Sequence, residues 1–165
     1  MGLEFEESCS VSGQLFYIVR RHGKVIEESN ERNMIMTLGR VAVARLFKGL
    51  QGGHGFSVGV GENGDPPNPD QVGLLNPALV MASPVEFARA EVNDGITSWI
   101  PCPNPTPNVR FNFLFDSLTA NGKAIREFGL MTYDHVLFAR RVRSSGKPIE
   151  KDRDLTIEGY WVVRF

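Results

Sequence analysis

Glu127 and Arg140 are the acid and base in this chain best placed to meet, because they flank Tyr133 and Asp134 at similar distances along a β-patterned stretch. If Tyr133 and Asp134 form the two-residue centre of a hairpin, Glu127 lies opposite Arg140. Ile125 then meets Val142, Gly129 meets Phe138 and Met131 meets Val136. An opposite-charge pair within an apolar row fixes strand register, and buried charges are tolerated when paired. A catalytic carboxylate normally needs a raised pKa, whereas a neighbouring guanidinium lowers it. The pair is therefore read as structural. A three-residue loop would shift the register by one and break the match.

Other chemistry finds less to stand on. Gly59, Gly61 and Gly64 fit G-x-G-x-x-G after a short strand, but Asp65-Pro66-Pro67 follows where a dinucleotide-binding turn needs a helix N-terminus. These glycines are read as turn formers, as are Gly122 and Gly129, while Gly159 marks a bulge or a close backbone approach. His22, His54 and His135 are isolated in turns or Gly-rich loops. Cys9 and Cys102 have no CxxC spacing and are expected to be free thiols. No catalytic residue, cofactor or metal is expected, since no zinc, phosphate, calcium or nucleophile-elbow spacing occurs.

The charges nearly cancel, 18 Lys plus Arg against 19 Asp plus Glu, so no global field attracts nucleic acid or an anionic membrane surface. Basic residues gather between Lys123 and Arg153, but Glu127, Asp134, Glu150 and Asp152 dilute them. Subunit contacts or solvated edges are the expected use, with Lys147 and Lys151 discouraging edge-to-edge aggregation. No apolar run approaches the ~20 residues of a membrane helix. The first ten residues carry Glu4, Glu6 and Glu7 and lack a secretion-signal pattern, so synthesis in a cytoplasm is expected.

These residues need a scaffold, and one domain over residues 1–165 is the expectation. Residues 14–28 predict a hairpin turning at His22-Gly23. Across residues 31–48, Ile35, Leu38, Ala42 and Leu46 recur at helical spacing, with Asn30 or Asn33 as cap. Residues 65–70 and 101–107 are Pro-rich loops. The remainder is β-rich, with Phe111, Phe113 and Phe115 alternating and Leu155, Ile157, Trp161, Val163 and Phe165 lining one face. The expected fold is mainly β, an antiparallel β-sandwich with one packed α-helix. Both faces of residues 124–142 are apolar and need cover, one from the helix or a facing sheet and the other from another subunit.

From about Asn33 onward the order of segments resembles a family of bacteriophage tail and fibre-associated virion proteins. The likeness is carried by the helix at residues 33–47, Phe56-Ser57-Val58-Gly59-Val60-Gly61, the Pro-rich linker with Gln71, Leu74 and Leu75, Asn121-Gly122, Ile125-Arg126-Glu127-Phe128-Gly129-Leu130, Leu137-Phe138-Ala139-Arg140, and the closing Leu155-Thr156-Ile157 to Trp161-Val162-Val163-Arg164-Phe165. The resemblance implies a non-enzymatic virion component at a tail, neck or collar, baseplate or fibre attachment point. Its partners would be further copies of itself in a ring or trimer and neighbouring virion proteins. The alternative is a receptor- or carbohydrate-binding module for host adsorption, with Trp99 and Tyr133 stacking on a host glycan.

Overall fold

The computed structural model describes residues 11–47, 55–87, 108–132 and 134–164. Chain order is β1 (Ser12–Arg21), β2 (Lys24–Ile35), α1 (Thr37–Phe47), β3 (Phe56–Gly61), β4 (Ala78–Phe87), β5 (Asn108–Phe115), β6 (Ala124–Ile125), β7 (Glu127–Thr132), β8 (Leu137–Val142), β9 (Ile149–Glu150) and β10 (Leu155–Arg164). Cys9, His54, Gly49, the segment with Trp99 and Cys102, Tyr133 and Phe165 lie outside the described residues.

The fold is mainly β, but the expected sandwich is a closed antiparallel barrel running β1-β10-β5-β4-β3-β7-β8-β2, with β6 and β9 as a separate ribbon. Two long strands close it. Residues 78–82 of β4 pair with β3 and residues 83–87 with β5, while β2 lies along β1 and reaches β8 at Met34 and Ile35. Inward and outward residues alternate in sandwich and barrel alike, so the pattern that predicts strands does not separate the two.

His22 and Gly23 both take positive φ, 49° and 77°, the requirement of a type I′ hairpin turn that matches strand twist. The expected helix start is corrected, because residues 31–35 continue β2 and the helix begins at Thr37. Pairing of Glu31, Arg32 and Asn33 to β1 and of Met34 and Ile35 to β8 overrides the helical spacing. Asn33 does not cap the helix: its side-chain oxygen accepts from Trp161 Nε1 at 3.0 Å, which lets that fully buried indole satisfy its only donor. Gly39 lets the helix sit close to β8, since a Cβ there would stand 2.3 Å from the Phe138 carbonyl oxygen.

Inside the barrel lie Leu15, Val58, Val60, Phe115, Phe128, Leu130, Ile157 and Trp161, none of them exposed. Tyr17 stacks on Phe128 at 4.6 Å and Phe56 tilts on Phe111 at 4.5 Å. A Cβ on Gly159 would stand 2.1 Å from the Phe16 carbonyl oxygen, so the glycine permits a close approach of β10 to β1. Gly122 has φ 81° in its turn, which Lys151 holds by donating to Asn121 Oδ1 at 2.9 Å. Lys151 is 2% exposed, so its expected role as an edge guard is replaced by one inside the fold.

The β7–β8 register also differs from expectation, and two changes account for it. Thr132 pairs with Val136 through an N–H···O bond of 2.9 Å, leaving a three-residue loop that shifts the ladder by one. The ladder then slips again, from Met131 opposite Leu137 to Leu130 opposite Ala139, leaving Phe138 as the extra residue of a bulge. The two shifts add, so Glu127 lies opposite Val142 and Arg140 opposite Gly129. Because the sum is even, Glu127 and Arg140 stay on one face, as diagonal rather than direct neighbours.

Candidate functional site

Polar side chains gather at two places, both involving β8. The first lies outside the wall formed by β3, β7 and β8, beneath the extended strap of residues 62–77. Strand alternation sends Val58, Val60, Phe128 and Leu130 into the core and turns Gly59, Gly61, Glu127 and Gly129 outward. Glu127 and Arg140 are both fully buried there, with Arg140 Nε donating to Glu127 Oε2 at 2.6 Å. The other carboxylate oxygen accepts from the backbone N–H of Asn63 at 3.2 Å and of Leu75 at 2.8 Å. The remaining guanidinium nitrogens donate to the carbonyls of Asp65 at 3.1 Å and Asn63 at 3.2 Å. Ion desolvation is costly, and here all three guanidinium nitrogens and both carboxylate oxygens are bonded, with four of the five bonds fastening the strap.

Small residues make room for it. Gly59 and Gly129 face each other across β3 and β7, leaving a dimple filled by Leu74. A Cβ on Gly59 would stand 2.7 Å from Leu74 Cδ1, and one on Gly129 would stand 2.9 Å from Leu74 Cδ2. A Cβ on Gly61 would strike the Glu127 carboxylate at 2.4 Å. Leu74 also packs against buried Met36, Met131 and Leu137, so the outer face of the β7–β8 ribbon is covered by the strap and the segment entering the helix. Gly59, Gly61 and Gly129 are thus not the turn formers expected but lie within β3 and β7, where they make room for side chains of the same chain, and β3 continues into the strap rather than a phosphate-binding helix.

The second cluster closes the seam between β2 and β8. Arg143 Nη2 meets Glu27 Oε1 and Oε2 at 2.5 and 2.6 Å, and Arg141 pairs with Glu31. Tyr17 donates its hydroxyl hydrogen to Glu27 Oε1 at 3.0 Å and accepts from Arg143 Nε at 3.3 Å. Ser144 donates to Glu31 Oε1 at 2.5 Å. Burial pushes the Tyr17 phenol up despite Arg143. Partial burial opposes ionisation of Glu31, yet hydrogen bonds from Ser144 and Ser29 and the charge of Arg141 hold it below its usual value. Opposed acids and bases are consumed in mutual pairs, an arrangement suited to joining strands.

The sequence reading missed this second cluster. Its signal was residues 27–33, Glu-Glu-Ser-Asn-Glu-Arg-Asn, which are polar on both strand faces. A strand without an apolar face belongs where the wall is incompletely joined.

His22 and His135 are exposed in turns, as their sequence contexts suggested. Among the described residues, no group of three or more His, Cys, Asp or Glu is placed to hold a metal ion, and no helix is long and apolar enough to cross a membrane. On the outer side of β3 and β4 an open depression of about 440 Å³ is lined by Phe56, Ser57, Leu79, Met81 and His135. Met81 is 72% exposed, and Leu79, Leu75 and Val72 are exposed too. No protein-family model matches the chain, and no curated protein or solved structure matches it.

Proposed function

We propose that this protein is a non-enzymatic structural component of a bacteriophage virion, located at a tail, neck or collar, baseplate or fibre attachment point, and held there through an apolar strand face and loops. The family reading rests on the sequence resemblance from Asn33 onward. The observation that carries the assembly role is the exposed apolar row of Leu79 and Met81 on β4, with Leu75 and Val72 on the strap. Soluble monomers rarely leave extended apolar patches uncovered. The docking face lies here and not on the β7–β8 ribbon, whose second side the strap already covers.

Rotational symmetry makes a ring or trimer the economical assembly, with neighbouring virion proteins as further partners. Sedimentation velocity across a range of concentrations tests self-association: oligomers should form, and Met81→Lys should disperse them without altering the circular dichroism spectrum. A monomer at every concentration that also fails to bind the purified neighbouring virion proteins would overturn the assembly role. Specific glycan-array binding that Trp99→Ala abolishes would replace it with host adsorption.

A further inference from the structure

The join between β2 and β8 is the least paired part of the barrel wall. β1 and β10 pair continuously from Ser12 opposite Arg164 to Arg21 opposite Leu155, whereas β2 meets β8 only at Met34 opposite Arg140 and Ile35 opposite Ala139. Met36 N–H donates to the Phe138 carbonyl at 2.9 Å, so even-numbered residues of β2 aim their backbone groups across the seam. Glu28, Asn30 and Arg32 continue that series, and among the described residues they have no ladder partner on that side. Side chains span the gap instead, Glu27 to Arg143 and Glu31 to Arg141 and Ser144.

Arg143 is 5% exposed, but its partner Glu27 is 34% exposed, and Arg141 and Glu31 are 28% and 22% exposed. Ion pairs that reach solvent are weaker and more salt-sensitive than a backbone ladder. At the far end the helix start is tied down, with Thr37 N–H donating to Pro69 O at 2.8 Å and Thr37 Oγ1 to Asp70 Oδ1 at 2.9 Å. One end of the join is held by side chains, and the other is anchored to the strap.

We propose that the barrel opens locally at this seam: β2 parts from β8 from the Glu27 end as far as a stop at Thr37, while the rest of the wall stays paired. The opened state presents the two strand edges that were facing each other. This opening is a property of the single chain and does not depend on the virion reading.

Native-state hydrogen exchange on the full chain tests it. The amides of Met34 and Met36 should exchange at least about tenfold faster than ladder amides between β3 and β7, the signature of sub-global opening. Glu27→Gln with Glu31→Gln should speed the two seam amides by a further factor of about ten, leaving the β3–β7 ladder unchanged. Raised salt should speed the same amides in the parent protein but not in the double variant. Seam amides that exchange only as slowly as the β3–β7 ladder, or a double variant that accelerates every ladder equally, would overturn the proposal. The parent comparison decides the matter even if the variant folds poorly.

Discussion

Arg140 and Arg141 are consecutive in the chain and do opposite things. Arg140 turns outward beneath the strap, where no part of its side chain or of Glu127 reaches solvent. Arg141 lies in the inward row opposite Phe128 and meets Glu31 at the seam, where both side chains keep about a quarter of their surface in water, 28% and 22%. The same ion-pair chemistry therefore serves two purposes. Under the strap neither ion reaches water, so removing one leaves the charge of the other stranded with only backbone partners. In the Arg141–Glu31 pair both side chains reach water, which screens the pair and lowers the cost of losing one partner.

The largest expected effect breaks the buried side of this contrast. Glu127→Ala leaves the Arg140 guanidinium unpaired and frees the Asn63 and Leu75 amides, so it should cost about 3–5 kcal/mol in chemical denaturation. The double variant with Arg140→Met should lose less than the sum of the two single losses, because it removes the stranded charge. Additive losses would show that the two ions act independently.

Next comes Gly159→Ala, expected to cost about 1–3 kcal/mol because its Cβ would collide with backbone. Gly129→Ala should cost less, since the groups it meets are the movable methyls of Leu137 and Leu74. Thermal unfolding of the two variants checks the order, and a reversed order would show that the strap is more rigid than the β1–β10 approach.

On the seam side, Glu31→Gln should cost no more than about 1 kcal/mol in the same assay. A loss as large as that of Glu127→Ala would erase the distinction between the regions.

The smallest effects are in pH dependence. The folded pKa of Glu31 is lowered, so its contribution is present above its unfolded pKa and fades as pH falls through the folded value. Tyr17 has a raised pKa, so its contribution is full below the unfolded value and is lost as pH rises through the folded one. Stability measured against pH should therefore lose an acid component in Glu31→Gln and an alkaline component in Tyr17→Phe.

Much of the local architecture was legible in the residues. His22-Gly23 specified the first turn, the alternating Phe111, Phe113 and Phe115 specified an inward strand face, and Glu127 and Arg140 could be matched as a pair. Closure was not legible, because it depends on β4 changing partners at Ser83 and on β2 reaching β8 through two residues. Nor was the helix start, since the apolar spacing of Met34, Ile35 and Leu38 suits a helix while long-range pairing holds the first two extended. The strap looked like an unstructured Pro-rich loop because nothing local indicates that Glu127, more than fifty residues beyond Leu75, accepts its amides.

The bulge at Phe138 constrains what length changes this hairpin can absorb. Its carbonyl receives the Met36 amide that leads into the helix, so straightening the strand would cost the helix one of its anchors. Residues opposite each other share a face whatever the length of the turn between them, so with Thr132 still opposite Val136 a shorter turn would leave Arg140 beside Glu127. Changes in length should therefore be absorbed in the turn and refused at the bulge, where this hairpin serves a segment far earlier in the chain.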